Sequence, residues 1–62
     1  VNNKIIAELN KKIIENLEAY TKYQSIGFIQ DASRLMKIAD FIRTKNYEFL
    51  SYEEAVECAI RA

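Results

Sequence analysis

Histidine is absent from the 62-residue chain and cysteine occurs once, at Cys58. A zinc site draws its ligands from clustered His, Cys, Asp or Glu, so no metal centre is expected. The same shortage leaves the Cys58 thiol without an imidazole base, and nucleophilic catalysis through it is not expected either. A single cysteine excludes an internal disulfide and fits a reducing, cytoplasmic setting. Gly27 is the one glycine, and a loop that cradles phosphate needs several. No run of about eighteen apolar residues occurs, and the N-terminus lacks an apolar stretch of signal-peptide length. The chain therefore reads as soluble and unprocessed, with no membrane partner. Nine basic and nine acidic side chains cancel, so no overall field draws the chain to nucleic acid or to an anionic surface. Together these absences leave no support for an enzyme, a cofactor or a small-molecule substrate.

What is present is apolar patterning. Half of the residues are hydrophobic, in a single domain over residues 1–62 that lies near the lower size limit for independent folding. Ile5, Ile6, Leu9, Ile13, Leu17 and Tyr20 recur at three- and four-residue spacing, which predicts an amphipathic helix over about residues 3–22. Asn2 or Asn3 can cap it. Near the other end, Ser51 and Glu54 have capping-box spacing, with Leu50 placed to start a hydrophobic staple. Tyr52, Ala55, Val56, Ala59 and Ile60 then form one apolar face, predicting a helix over about 51–62. Cys58 flanks that face and reads as a small, half-buried hydrophobe.

Between these segments, Phe28, Ala32, Leu35, Ala39 and Ile42 fall within about 80° of one another at about 100° per residue. Met36 and Ile29 widen one flank, and Ile38 and Phe41 lie off the stripe. The middle helix, over about 26–45, thus has a wide apolar face. Asn46 can end it in the left-handed conformation, and Tyr47, Phe49 and Leu50 make the connector an apolar loop expected to fold back over the core. The expected class is all-α, a small three-helix domain.

The stretch "YQSIGFIQD", Tyr23 to Asp31, holds the glycine in a chain without proline. It permits two readings. An alternating segment followed by a helix, a turn and the helix "SYEEAVECAIRA" resembles the ribbon-helix-helix DNA-binding fold, over Tyr23 to Ala62. That resemblance implies a dimer whose paired strands send either Gln24, Ile26, Phe28 and Gln30 or Tyr23, Ser25, Gly27 and Ile29 into the major groove. The first set spends two large apolar groups on the groove, the second offers no long polar side chain, and no lysine or arginine occurs from Tyr23 to Ser33. The other reading makes Tyr23 to Gly27 a bend, with Ser25 as cap and Gly27 giving the turn its freedom. The phase of Phe28 favours the bend. Ile26 is then apolar on a polar face.

Charge is uneven along the chain. Arg34, Lys37, Arg43 and Lys45 against Asp40 leave +3 over residues 34–45, and Glu48, Glu53, Glu54 and Glu57 against Arg61 leave −3 over 46–62. The simplest expectation is neutralisation across the last two helices. The expected function is a non-enzymatic protein–protein interaction module, a homodimer or a docking subunit, binding a protein partner or a second copy through Ile26, Ile38, Phe41 and Tyr47. The alternative is a small dimeric DNA-binding regulator, ribbon-helix-helix-like or using Arg34, Lys37, Arg43 and Lys45 on phosphates.

Overall fold

A computed structural model describes residues 2–45 and 48–62. Three helices follow in order: α1 (Asn3–Tyr23), α2 (Ile26–Arg43) and α3 (Tyr52–Arg61). No strand occurs among the described residues. The ribbon of the ribbon-helix-helix resemblance is therefore replaced by the start of α2, because Phe28 and Ala32 carry the apolar stripe of that helix back to its first turn. α1 and α2 pack along each other as a hairpin, and α3 rests mainly on α2.

The bend at the hairpin tip is made differently from expectation. Gly27 lies inside α2 with ordinary helical backbone, and the left-handed residue is Gln24, at φ 54° and ψ 34°. Its N–H donates to the Tyr20 carbonyl at 2.6 Å, which closes α1 through a single bond of the αL type. Ser25 follows in extended conformation as the N-cap of α2 but makes no side-chain cap bond; its carbonyl instead accepts from the Phe28 N–H at 3.1 Å. A two-residue connection leaves no room for a longer turn, so a non-glycine residue takes the left-handed well.

Asn2 also departs from the cap role read in the sequence. It precedes α1 in left-handed conformation with no side-chain cap bond. Its Oδ1 accepts instead from the Phe49 N–H at 2.9 Å, forty-seven residues along the chain. Asn2 is the buried polar residue among those described, and the bond ties the start of α1 to the connector before α3. At the far end of α2, the Thr44 N–H reaches the carbonyls of Asp40 and Phe41, and its hydroxyl donates to the Phe41 carbonyl at 2.7 Å. These bonds tighten the last turn and end the helix two residues before the expected 45. Asn46, read as the stop signal, lies outside the described residues. Ser51 does cap α3, its Oγ accepting from the Glu54 N–H at 3.2 Å. Leu50 is not a staple: it stands 91 % exposed, because the residue it would meet in α3, Ala55, is small and already buried.

The core joins Leu9, Ala39, Ile42, Phe49 and Ala55, with Ile5, Ile6, Leu35, Ile38, Phe41, Tyr52 and Cys58 packed around it. Ile13 and Ala32 are buried as well. Ala32, Ala39 and Ala55 present little more than backbone, which lets the helices approach closely. The cost is a small core: among the described residues Leu9 and Ile42 are the large side chains that are fully buried. The molecule is 37 × 21 × 17 Å with a radius of gyration of 12.2 Å, longer than the roughly 10.6 Å of a compact chain this size. Its length is that of the hairpin.

Two expectations follow from the bend and from the Asn2 tie. A Cβ added at Gly27 meets only the Ser25 Oγ, at an ordinary 3.8 Å, so Gly27→Ala is expected to raise stability by about 0.5–1 kcal/mol, lifting the thermal midpoint by about 2–8 °C. An unchanged or lowered midpoint would show that the glycine is required. Asn2→Ala removes the buried acceptor of the Phe49 N–H and is expected to cost about 1–2 kcal/mol in chemical denaturation; Asn2→Asp, which keeps an oxygen there, is expected to cost less.

Candidate protein-binding face

Leu9 of α1 and Ala39 of α2 are fully buried and mark where the hairpin helices face each other. At about 100° per residue, one flank of α1 next to Leu9 carries Ile13, Leu17, Asn10 and Ile14. The corresponding flank of α2 carries Met36, Ile29, Asp40 and, at its edge, Ile26. Both flanks lie on the same side of the hairpin, because a shallow groove of about 330 Å³ is lined jointly by Asn10, Ile13, Met36, Ala39, Asp40 and Arg43. The opposite flanks carry Ile5 and Lys12 in α1 and Leu35, Ile38 and Ile42 in α2. That side is where α3 sits: the Lys12 ammonium lies 5.4 Å from the centre of the Tyr52 ring.

The side away from α3 is apolar and uncovered. Ile14 is 57 % exposed, Leu17 41 %, Ile26 70 %, Ile29 39 % and Met36 45 %. Single exposed hydrophobes are ordinary, but five on one side of a hairpin form a patch of the kind that marks an interaction surface. The intervening positions on this side, Asn10, Thr21 and Ser33, are uncharged. The two charged groups in its middle are Asp40 and Arg43, paired with each other at 3.1 Å. Glu18 of α1 and Lys37 of α2 lie at the outer margins, next to Ile14 and Ile26 by helical phase, so the middle of the face offers apolar area whose charges are already paired.

Of the residues singled out in the sequence, Ile26 lies at the tip of this side. Ile38 and Phe41 are half-buried against the core on the side taken by α3, and the Lys45 ammonium lies 4.4 Å from the centre of the Phe41 ring. Tyr47 lies outside the described residues. Ile14 has no place in the stripe read from the sequence, and Leu17 has one only as part of the apolar stripe of the first helix. The adjacent pair Ile13–Ile14 was the available signal, since two neighbouring isoleucines point about 100° apart and cannot both face one partner helix.

The basic residues are dispersed. Arg34 pairs with Asp31 at 3.4 Å and Arg43 with Asp40. By helical phase Arg34 and Lys37 point outward from α2 and Arg43 lies on the groove side, whereas Lys45 follows the helix and lies over the Phe41 ring. All ion pairs among the described residues lie within one helix, including Arg61 with Glu57 of α3. The expected neutralisation between the last two helices is therefore not what these side chains do. Residues three or four apart on a helix are always within reach of each other, while α2 meets α3 through apolar groups. Among the described residues no cluster of three His, Cys, Asp or Glu could hold a metal ion, and no helix is long and apolar enough to cross a membrane.

Comparison with protein-family models, with curated proteins and with solved structures returns no match to this chain.

The ion pairs are half or more exposed on both partners, and exposed pairs contribute little. Arg34→Gln is accordingly expected to change the unfolding free energy by no more than about 0.5 kcal/mol, measured by urea denaturation. A larger loss would show that Arg34 holds the fold through something other than Asp31.

Proposed function

We propose that the chain is a non-enzymatic protein–protein interaction module whose binding surface is the broad side of the α1–α2 hairpin opposite α3. One observation carries the reading: Ile14, Leu17, Ile26, Ile29 and Met36 are all substantially exposed on that side, while few large side chains among the described residues are fully buried. Covering them removes apolar area from water without stranding a charge in the middle of the face, which is the usual driving force of association. The binding surface is centred on α1 and α2 together, and not on the Ile38 and Phe41 positions, which are partly committed to the core. Leu17 and Met36 are the central contacts, with Ile14, Ile29 and Ile26 around them.

Binding to duplex DNA is the weaker reading. Of its four basic groups, Arg34 and Arg43 already have carboxylate partners, and Arg43 faces away from the rest.

Site-specific photo-crosslinking in cells that make the chain tests the proposal. A photoreactive side chain at position 17 or 36 is expected to give a discrete protein adduct, and one at Glu53, exposed on α3 across the hairpin from the face, is not. Absence of a protein adduct from both face positions would overturn the reading. Adducts to nucleic acid from positions 34 and 37, lost steeply with salt, would replace it with the DNA-binding one.

A further inference from the structure

We infer that the occupant of this face is a second copy of the chain, packed face to face about a two-fold axis so that two hairpins form a four-helix core with the α3 helices outermost. The inference rests on the reading of the face as a binding surface and adds the identity of what covers it.

Area favours a partner of this size. A folded chain of 7.2 kDa ordinarily exposes about 4,100 Å², whereas this one exposes 4650 Å². The excess belongs to an elongated hairpin covered on one side. A second copy exposes the same apolar residues, Ile14, Leu17, Ile26, Ile29 and Met36, and so covers that face with an equal one.

Charge and shape are compatible with self-pairing. An isologous interface sets each patch against its own copy, so any unpaired charge on the face would meet its like. Here Asp40 and Arg43 are already paired within the chain, and the net charge of zero gives no long-range repulsion between copies. Both helices contribute large apolar groups, Ile14 and Leu17 from α1 and Ile29 and Met36 from α2. Either helix of the copy therefore lays apolar groups on apolar groups. Stability points the same way: a 62-residue chain whose fully buried large side chains, among the described residues, are Leu9 and Ile42 gains in the dimer the core it lacks alone.

Sedimentation equilibrium across a concentration series tests the inference. The chain is expected to sediment at twice its 7.2 kDa, and Leu17→Glu or Met36→Glu to weaken association by about tenfold or more. Ile60→Glu, on α3 at a position 71 % exposed, is expected to leave the dimer intact. The wild-type melting midpoint is also expected to rise with concentration, a readout that holds even if a face variant unfolds on losing its partner. Overturning results are a 7.2 kDa species up to about 1 mM, a midpoint independent of concentration, or a dimer that survives both face substitutions. A strict monomer that still gives a discrete heterologous adduct from position 17 would remove the second copy and leave the interaction module standing. A strict monomer with no adduct would remove both.

Discussion

A ten-residue α3 rises about 15 Å and cannot cover a hairpin whose helices, 21 and 18 residues long, run about 30 Å. This mismatch in length governs the molecule. At the end where the chain starts and α2 finishes, three helices meet around Leu9, Ala39, Ile42, Phe49 and Ala55, and the Asn2–Phe49 bond holds the N-terminus against the connector. Toward the tip, from Ile14 to Met36, α1 and α2 have only each other. Isolated two-helix contacts bury one stripe per helix, so any wider apolar face is left in water. The wide face of α2 and the Ile13–Ile14 pair of α1 make that surplus.

Much of this architecture is legible in residue spacing. The three helices follow from stripes at three- and four-residue intervals, and the stripe from Phe28 to Ile42 correctly turned "YQSIGFIQD" from a strand into a bend and a helix start. Less legible was how the bend is made. Glycine invites the inference that it takes the unusual backbone conformation, yet the geometry of a two-residue connection assigns that role to Gln24, and Gly27 sits in an ordinary first turn. Asn2 was similarly ambiguous. Its residue type suits a helix cap, but an asparagine oxygen serves equally for a backbone N–H brought close by tertiary folding. No local pattern distinguishes the two uses.

The candidate face was half visible. Ile26 stood out as apolar on a polar face, and Met36 and Ile29 as widening the stripe of α2. A helical wheel gives the phase of each helix but not which side the third one takes. That choice decides whether Ile38 and Phe41 or Ile29 and Met36 stay in water. Ile38 and Phe41 pack against the core on the side that α3 takes, and the open surface is the other side, where α1 contributes Ile14 and Leu17. The proposed function is one of association: the face carries exposed apolar area whose central charges, Asp40 and Arg43, are already paired, which suits contact with another apolar face.

The central claim is that the tip half of the hairpin depends on being covered from outside the chain. Amide hydrogen exchange at increasing protein concentration addresses it residue by residue. Protection along residues 14–23 and 26–36 should be low in dilute solution and should climb with concentration as the face is covered, while amides around Leu9 and Ile42 stay protected throughout. Equal protection of both halves at every concentration would contradict the account, since the hairpin would then be complete without a partner.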